Sequence, residues 1–237
     1  MKYLNKKYTN LLIFGCWLIY VAAYVGRKDY SAGTATLALG LAETSAGLIY
    51  SAFAVTYGIG QLINGILCRF YNPKYVMTGA MLVSVAANLM MTLFAGNVTL
   101  MTVAWFLNGA TQSILWSLII RTLSRYISDN EIGKAIYVMS TPVAAGTASA
   151  YGLSALFAKF GIWDKVFLVS GGIMGAAAVV WFIIMSRVEK AMENGDTVLA
   201  DGPAAAAEEG EKKIGLRGIS MMFGILLGIG AAVLYDQ

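Results

Sequence analysis

Histidine is absent from the 237 residues of this chain, and charged residues make up only 13% of it. Histidine is the side chain that most often transfers protons near neutral pH and a common metal ligand. The two cysteines, Cys16 and Cys68, lie in apolar segments and indicate neither a disulfide framework nor a metal site. Asp129 and Glu131 have no nucleophile and base beside them. The sequence therefore predicts no enzyme, no metal site and no cofactor.

Long apolar segments dominate the chain, which is 58% hydrophobic and has a mean hydropathy of +0.68. A transmembrane helix needs about 20 residues, whereas a strand of an outer-membrane barrel needs only about 10. The segments therefore predict an all-α membrane protein with seven spanning helices. The predicted spans cover residues 11–40, 46–68, 75–96, 98–122, 135–158, 166–186 and 218–234.

The positions of the basic residues predict the topology in the membrane. Most of the 17 lysines and arginines precede the first span, lie in alternate loops or follow the sixth span. By the positive-inside rule, these regions are cytoplasmic and the protein lies in the cytoplasmic membrane with its N-terminus inside. The lysines before the first span also resemble the start of a signal peptide, but no convincing cleavage site follows. We therefore expect an uncleaved first helix.

The composition changes after the sixth span. Residues 188–216 are acidic, rich in alanine and glycine, and poor in large apolar side chains, which predicts a disordered cytoplasmic linker. The expected domains are a six-helix bundle over 1–187, the linker over 188–216 and a seventh helix over 217–237. A transporter built from two six-helix halves has this layout. We expect a truncated chain or incomplete gene whose C-terminal half is missing or comes from a second chain, leaving Gln61 and Gln112 lining an open groove.

Arg27 and Lys28 stand side by side at the end of an apolar run over residues 11–26. Because this run is too short to cross the membrane, we expect the helix to continue through both cations into residues 31–40. Charged residues at such depth cost about 2.5–3.5 kcal/mol and usually face a wet cavity or a substrate path. The alternative is that the helix ends at Gly26 and the pair marks the membrane surface.

Polar and aromatic residues recur at helical spacing on one face of three spans. We predict that these faces and Arg27 line one central cavity, whereas hydrogen bonding between helices is the alternative for any single residue. The faces comprise Tyr20, Tyr24, Arg27 and Ser31 in the first span; Tyr50, Tyr57, Gln61 and Asn64 in the second; and Asn108 and Gln112, flanked by Trp105 and Trp116, in the fourth.

Small residues and one proline predict local packing. Pro142 removes a main-chain hydrogen bond and predicts a kink in the fifth span. We expect glycines in two spans to let helices approach closely. They are Gly58, Gly60 and Gly65 in the second span, and Gly146 and Gly152 in the fifth.

Residues 20–29, with the sequence YVAAYVGRKD, resemble the first helix of the organophosphate:phosphate antiporters of the major facilitator superfamily. The glycerol-3-phosphate antiporters are the nearest comparison, and the resemblance covers roughly residues 10–187, with a faint continuation in the seventh span. It implies a secondary transporter. Further matching residues are Tyr57-Gly58, Asn72-Pro73-Lys74, Asn108-Gly109, Gln112, Trp116, Arg121 and Glu131-x-Gly133.

The resemblance implies that Arg27 binds the anion, with Tyr24 beside it and Lys28 as a nearby cation. We expect Tyr20, Tyr57, Gln61, Gln112 and Trp116 to complete the substrate site. The chain departs from the family in three places: Cys68 precedes Arg69 where an aspartate is usual, and positions near Val143 and Gly228 lack the family's histidine and second arginine. The substrate therefore stays open between a phosphate ester, a monoanion and another solute. The function stays open between a transporter, a sugar-phosphate sensor and a non-functional fragment.

Overall fold

A computed structural model describes residues 2–30 and 38–199 of the chain. The predicted seventh span, most of the predicted linker and Ser31 lie outside the described residues. Within them, the main elements are β1 (Lys2–Leu4), α1 (Lys6–Lys28), α2 (Glu43–Leu67), α3 (Pro73–Leu93), α4 (Val98–Tyr126), α5 (Asp129–Met139), α6 (Pro142–Lys159), α7 (Val166–Asn194) and β2 (Thr197–Leu199). Short 3₁₀ turns at Cys68–Phe70 and Trp163–Lys165 follow α2 and precede α7.

Within the described residues, five helices are long and apolar enough to cross a membrane. They correspond to α1, α2, α3, α4 and α7, of which α2 and α7 are counted together with their adjoining 3₁₀ turns. Four of them match the predicted second, third, fourth and sixth spans closely, because apolar length is the main determinant of a spanning helix. The prediction of an all-α membrane protein is confirmed.

Asparagine side chains begin three of these helices. Asn5 accepts hydrogen bonds from the amides of Lys7 and Tyr8 at the start of α1. Asn72 and Asn97 cap α3 and α4 in the same way, each through its side-chain oxygen. Such caps satisfy amides that have no partner inside the helix and stabilise it by about 1 kcal/mol. The caps therefore fix the residues at which α1, α3 and α4 begin.

The fifth predicted span is broken into two helices rather than kinked. α5 ends at Met139, and Pro142 is the first residue of α6. Proline lacks an amide hydrogen and tolerates only the first turn of a helix, so it starts a new helix here. The Oγ1 atom of Thr141, in the break, accepts a hydrogen bond of 2.8 Å from the indole nitrogen of Trp17. The break is thus tied to α1.

The first helix stops earlier than expected. α1 ends at Lys28, where the amide of Asp29 donates the last helical bond to Val25, and Tyr30 is not helical. The prediction of one continuous helix through residues 31–40 is wrong. The helix reaches spanning length at its other end instead, because the Asn5 cap lets it begin at Lys6, before the apolar run.

The last described helix runs past the predicted domain boundary at residue 187. α7 continues to Asn194, with Val188 and Ala191 buried, and Gly195 ends it at a φ of 78°. Residues 197–199 then form β2, which pairs with β1. The first part of the predicted linker is therefore helix and strand, and its helical part packs on the bundle through Val188 and Ala191. The division into three domains otherwise stays a prediction.

The helices pack in a defined order. α2 lies mainly against α4, α3 lies against α4 and α7, and α1 lies against α6 and α7. Two groups of buried apolar residues fill the interior. The larger includes Tyr20 and Tyr24 of α1, and the smaller is rich in aromatic rings, including Phe53 and Trp105. The side chain of Arg27 contacts the rings of both Tyr24 and Phe53, so it lies where the two groups meet.

Arg121 joins α4 to the turn after α2. Its Nη1 atom donates hydrogen bonds to the carbonyl oxygens of Cys68 and Tyr71, the latter at 2.8 Å. Hydrogen bonds to charged groups contribute roughly 1.5–3 kcal/mol each. We therefore expect Arg121→Met to lower the free energy of unfolding by about 2 kcal/mol, measured by thermal unfolding in detergent. The exposed Arg125 lies in the same helix, so Arg125→Met is the control. Equal unfolding temperatures for the two variants would contradict the proposed role of these bonds.

Candidate functional site

Arg27 faces the interior of the bundle, as the sequence analysis predicted. It is 8% exposed although it lies in the last turn of α1. Its guanidinium carbon lies 4.4 Å from the ring centre of Tyr24 and 4.3 Å from that of Tyr57. The ring of Phe53 is 5.7 Å away. Cations are attracted to aromatic faces at these distances, so the rings hold the guanidinium without neutralising it.

A chain of amide groups orients this guanidinium from α4. The Nε atom of Arg27 donates to the side-chain oxygen of Gln112 at 3.0 Å. Gln112 donates in turn to Asn108 at 2.8 Å, and Asn108 donates to the main-chain oxygen of Gly26 at 2.9 Å. Gln112 and Asn108 are both 0% exposed. Gln112 therefore fixes Arg27 from inside the bundle, and the prediction that it lines an open groove is wrong.

One donor of Arg27 remains available. Its Nη2 atom is buried and has no hydrogen-bond partner among the described residues. A buried charged donor without an acceptor is costly, so such groups are rare unless an acceptor arrives from elsewhere. Because the rings and Gln112 fix the plane of the guanidinium, the direction of the Nη2 hydrogens is fixed as well. The arrangement suits an anion whose oxygen accepts from Nη2.

Three other predicted site residues pack against the aromatic residues that contact Arg27. Tyr20 packs edge-on against Tyr24, with ring centres 5.2 Å apart, and Trp116 lies 5.1 Å from Tyr20. The half-buried Gln61 donates to the hydroxyl of Tyr57 at 2.8 Å and so orients that ring. Tyr20, Trp116 and Gln61 thus support the residues that contact Arg27. Their role in binding substrate stays a prediction.

Lys28 and Asn64 do not belong to the same cluster. Lys28 is the last residue of α1 and is half-buried. It lies about 100° around the helix from Arg27. Asn64 donates to the hydroxyl of Ser113 at 2.8 Å and thereby links α2 to α4. Asn64 therefore fits the alternative interpretation of the polar faces, which is hydrogen bonding between helices.

Two contributors were missed at the sequence level. Phe53 lies one helical turn before Tyr57, and their rings stack with centres 5.6 Å apart. The four-residue spacing could have indicated it. Asn88 of α3 donates to Ser84 and, at 3.4 Å, to the carbonyl of Gly26. No local sequence pattern predicts the contact of Asn88 with α1, because this contact depends on the tertiary packing.

Close helix approach at glycines brings α6 and α4 to the site. A Cβ atom at Gly146 of α6 would lie 2.7 Å from the carbonyl oxygen of Val21 and closer still to Tyr24. A Cβ atom at Gly109 of α4 would lie 2.5 Å from the carbonyl oxygen of Phe53. Gly60 contacts Ser113 similarly, as predicted. The prediction is wrong for three other glycines, because no atom of the described residues lies within 4 Å of an added Cβ there: Gly58, Gly65 and Gly152.

The family model of the Major Facilitator Superfamily matches residues 11–234. A probable hexose phosphate transport protein of Chlamydia muridarum is 28% identical over 185 residues, which is 77% of this chain and 40% of that protein. The glycerol-3-phosphate transporter of Bacillus subtilis is 26% identical over 188 residues, which is 77% of this chain and 42% of that protein. These names confirm the resemblance to the organophosphate antiporters.

A third relative is named as a sensor and not as a transporter. The membrane sensor protein UhpC of Salmonella typhimurium is 27% identical over 124 residues, or 52% of this chain and 28% of that protein. The chain thus spans less than half the length of the curated relatives it matches.

Proposed function

We propose, on the premise that this chain belongs to the Major Facilitator Superfamily, that it moves a small organic anion across the cytoplasmic membrane as a secondary active transporter or half of one. The distribution of lysine and arginine supports a cytoplasmic N-terminus. A phosphate ester is the first substrate class to test, because the relatives include transporters named for hexose phosphate and glycerol 3-phosphate.

The observation that carries this proposal is the state of the Arg27 guanidinium. It is buried and charged, its Nε donates to Gln112, and its Nη2 has no acceptor among the described residues. No acidic side chain forms an ion pair with it in the part of the chain that the structure describes. A phosphate, sulfonate or carboxylate group would supply both the missing acceptor and the missing charge.

One arginine favours substrates of modest charge. Arg27 is the one cation described at the centre of the site, with Lys28 at the helix end beside it. A phosphate ester carries about −1.5 to −2 charges at pH 7, whereas a carboxylate carries one. Another relative is named a probable sulfoacetate transporter, and both groups of that anion are also acceptors for a guanidinium. We therefore include phosphate esters, sulfonates and carboxylates in the substrate class.

Transport requires more than the described bundle. Alternating access in such transporters comes from two bundles rocking against each other around a central site. We propose that this bundle works with a second one, supplied by further residues or by another chain. Residues 1–237 alone, as a demonstrated monomer, are then expected to bind anions but to show no uptake.

Binding is tested first with the 237-residue chain in lipid nanodiscs. Glycerol 3-phosphate is expected to raise the unfolding temperature in proportion to its occupancy, because a ligand that binds only the folded state stabilises it. Glycerol at the same concentration is the control, since it has the same carbon skeleton without the charge. If neither glycerol 3-phosphate, sulfoacetate nor inorganic phosphate shifts the unfolding temperature more than glycerol does, the anion site is refuted.

The similarity to a membrane sensor supports a second candidate function. A sugar-phosphate sensor would bind the same anions at Arg27 and carry no flux, so binding cannot separate the two functions. Uptake of labelled glycerol 3-phosphate into vesicles that contain this chain together with its second bundle does separate them. Saturable uptake favours the transporter, whereas binding without uptake favours the sensor.

A further inference from the structure

Asp29, the residue that directly follows α1, has a completely buried carboxyl group. It is 0% exposed, and neither of its side-chain oxygens has a hydrogen-bond partner among the described residues. Its main-chain oxygen is engaged separately, because it accepts a hydrogen bond of 3.1 Å from the hydroxyl of Ser154 in α6. The main chain therefore holds Asp29 inside the bundle, and no partner balances a charge on its side chain.

The elements packed around Asp29 present neutral groups to it. The hydroxyl of Ser170 in α7 faces the carboxyl group, and this hydroxyl is also buried without a hydrogen-bond partner. The phenol of the neighbouring Tyr30 donates elsewhere, to the carbonyl of Ala46. The charged groups of the turn before α7, Asp164 and Lys165, pair with each other at 3.0 Å.

The cations of α1 are also directed away from this carboxyl group or lie at the helix end. The guanidinium of Arg27 is held by Gln112 and the aromatic rings of Tyr24 and Tyr57. Lys28 is half-buried and is the last residue of the helix. An ionised carboxylate in this environment would be desolvated and would have no ion pair among the described residues, with only the hydroxyl of Ser170 and the amides of Asp29 and Tyr30 near it, which favours its neutral form.

We propose that Asp29 is a proton-binding site and that its protonation is coupled to anion binding at Arg27. The second part rests on the proposed function. A carboxylate oxygen of Asp29 takes a proton from water on one side of the membrane, and the new O–H bond breaks to release that proton to water on the other side. The anion travels in the same cycle, so transport is a symport of anion and proton.

Charge gives the coupling its sign. Arg27 and Asp29 are two residues apart at the end of one helix. When Asp29 is ionised, its negative charge repels an incoming anion; when it is protonated, this repulsion is absent and the anion binds Arg27 more tightly. A metal cation fits less well than a proton, because Asp29 and Ser170 supply few oxygens, whereas hard cations such as Ca²⁺ take about six to eight.

The proton site is tested without any ligand by infrared spectroscopy of the whole chain in nanodiscs at pH 7. The carbonyl stretch of a protonated carboxylic acid is expected in the wild type and lost in Asp29→Asn, which has nearly the same shape as the neutral acid. The exposed Asp129 provides the matched control, because Asp129→Asn should keep the band. A wild type without the band, or an unchanged band in Asp29→Asn, overturns the proton site. A thermal scan shows whether Asp29→Asn is folded, and Asp29→Glu, which keeps a protonatable group, should restore the band.

The coupling is tested with sulfoacetate, whose carboxylate and sulfonate both stay ionised between about pH 6 and 9. The wild-type affinity is expected to fall by up to tenfold per pH unit as Asp29 ionises, whereas Asp29→Asn should keep the low-pH affinity throughout. The coupling is overturned if the affinities of the two proteins for sulfoacetate change with pH in parallel. It is also overturned if replacing potassium by sodium changes the wild-type affinity and Asp29→Asn removes this effect.

Failure of the proposed function would give a different experimental result from failure of the coupling. In that case no anion binds to either protein at any pH, and the coupling falls with it. The infrared band of Asp29 still decides the proton site in that case, because it is measured without an anion.

Discussion

Arg27→Ala is expected to abolish the stabilisation of the chain by glycerol 3-phosphate. Removing one partner of a buried charge pair costs roughly 2–5 kcal/mol of binding, or about a 30-fold to several thousand-fold loss of affinity. Arg27→Lys keeps the charge but loses the planar fork that Gln112 and the rings orient, so we expect a loss of about tenfold or more. Titration calorimetry in nanodiscs measures all three affinities.

The same substitutions distinguish a binding residue from a structural one. The Nη2 atom of Arg27 has no partner among the described residues, so its charge destabilises the ligand-free bundle. Arg27→Met should therefore leave the unfolding temperature without ligand unchanged or higher, although it removes binding. Arg69→Ala, at an exposed arginine, is the control for charge alone. The anion site is refuted if Arg27→Ala and the wild type bind with equal affinity.

Gly146→Ala is expected to damage both the packing and the anion site. The added Cβ would meet the carbonyl oxygen of Val21 at 2.7 Å and press on Tyr24. Overpacking of this kind typically costs about 1–3 kcal/mol. Because the ring of Tyr24 lies 4.4 Å from the Arg27 guanidinium, the affinity for glycerol 3-phosphate should fall together with the unfolding temperature.

Gly152 offers a matched control in the same helix. In the part of the chain that the structure describes, no atom lies within 4 Å of the position of a Cβ added at Gly152. Gly152→Ala should be neutral or stabilising by up to about 1 kcal/mol, because alanine favours the helix. An unfolding temperature for Gly146→Ala that matches that of Gly152→Ala would show that α1 and α6 can separate without cost, contrary to the geometry.

The sequence predicts most clearly the features that depend on neighbouring residues. Apolar length placed the spans that became α2, α3, α4 and α7, and the helical spacing of Arg27 from Tyr20 and Tyr24 indicated that this residue faces the interior. Both results follow from the cost of exposing polar groups to lipid, which any segment carries by itself. Even the break before Pro142 was foreseen in place, although as a kink, because proline acts on its own turn.

The individual contacts between distant parts of the chain were not predicted. The amide chain from Gln112 through Asn108 to Gly26 and the contact of Asn88 with Gly26 join different helices. A polar face shows which side of a helix is special, but not which atom of a neighbour it meets. The same limit explains Gln112, whose position on the polar face was predicted and whose full burial was not.

The pairing of β1 with β2 has a consequence for how the bundle is made. Residues 2–4 pair with residues 197–199, and the amide of Asn5 also donates to the carbonyl of Asp196 at 3.4 Å. During synthesis, the first strand leaves the ribosome long before its partner exists, and contacts so distant along the chain form slowly. The small sheet can close only after all the described helices have been made, so its formation marks the end of bundle assembly.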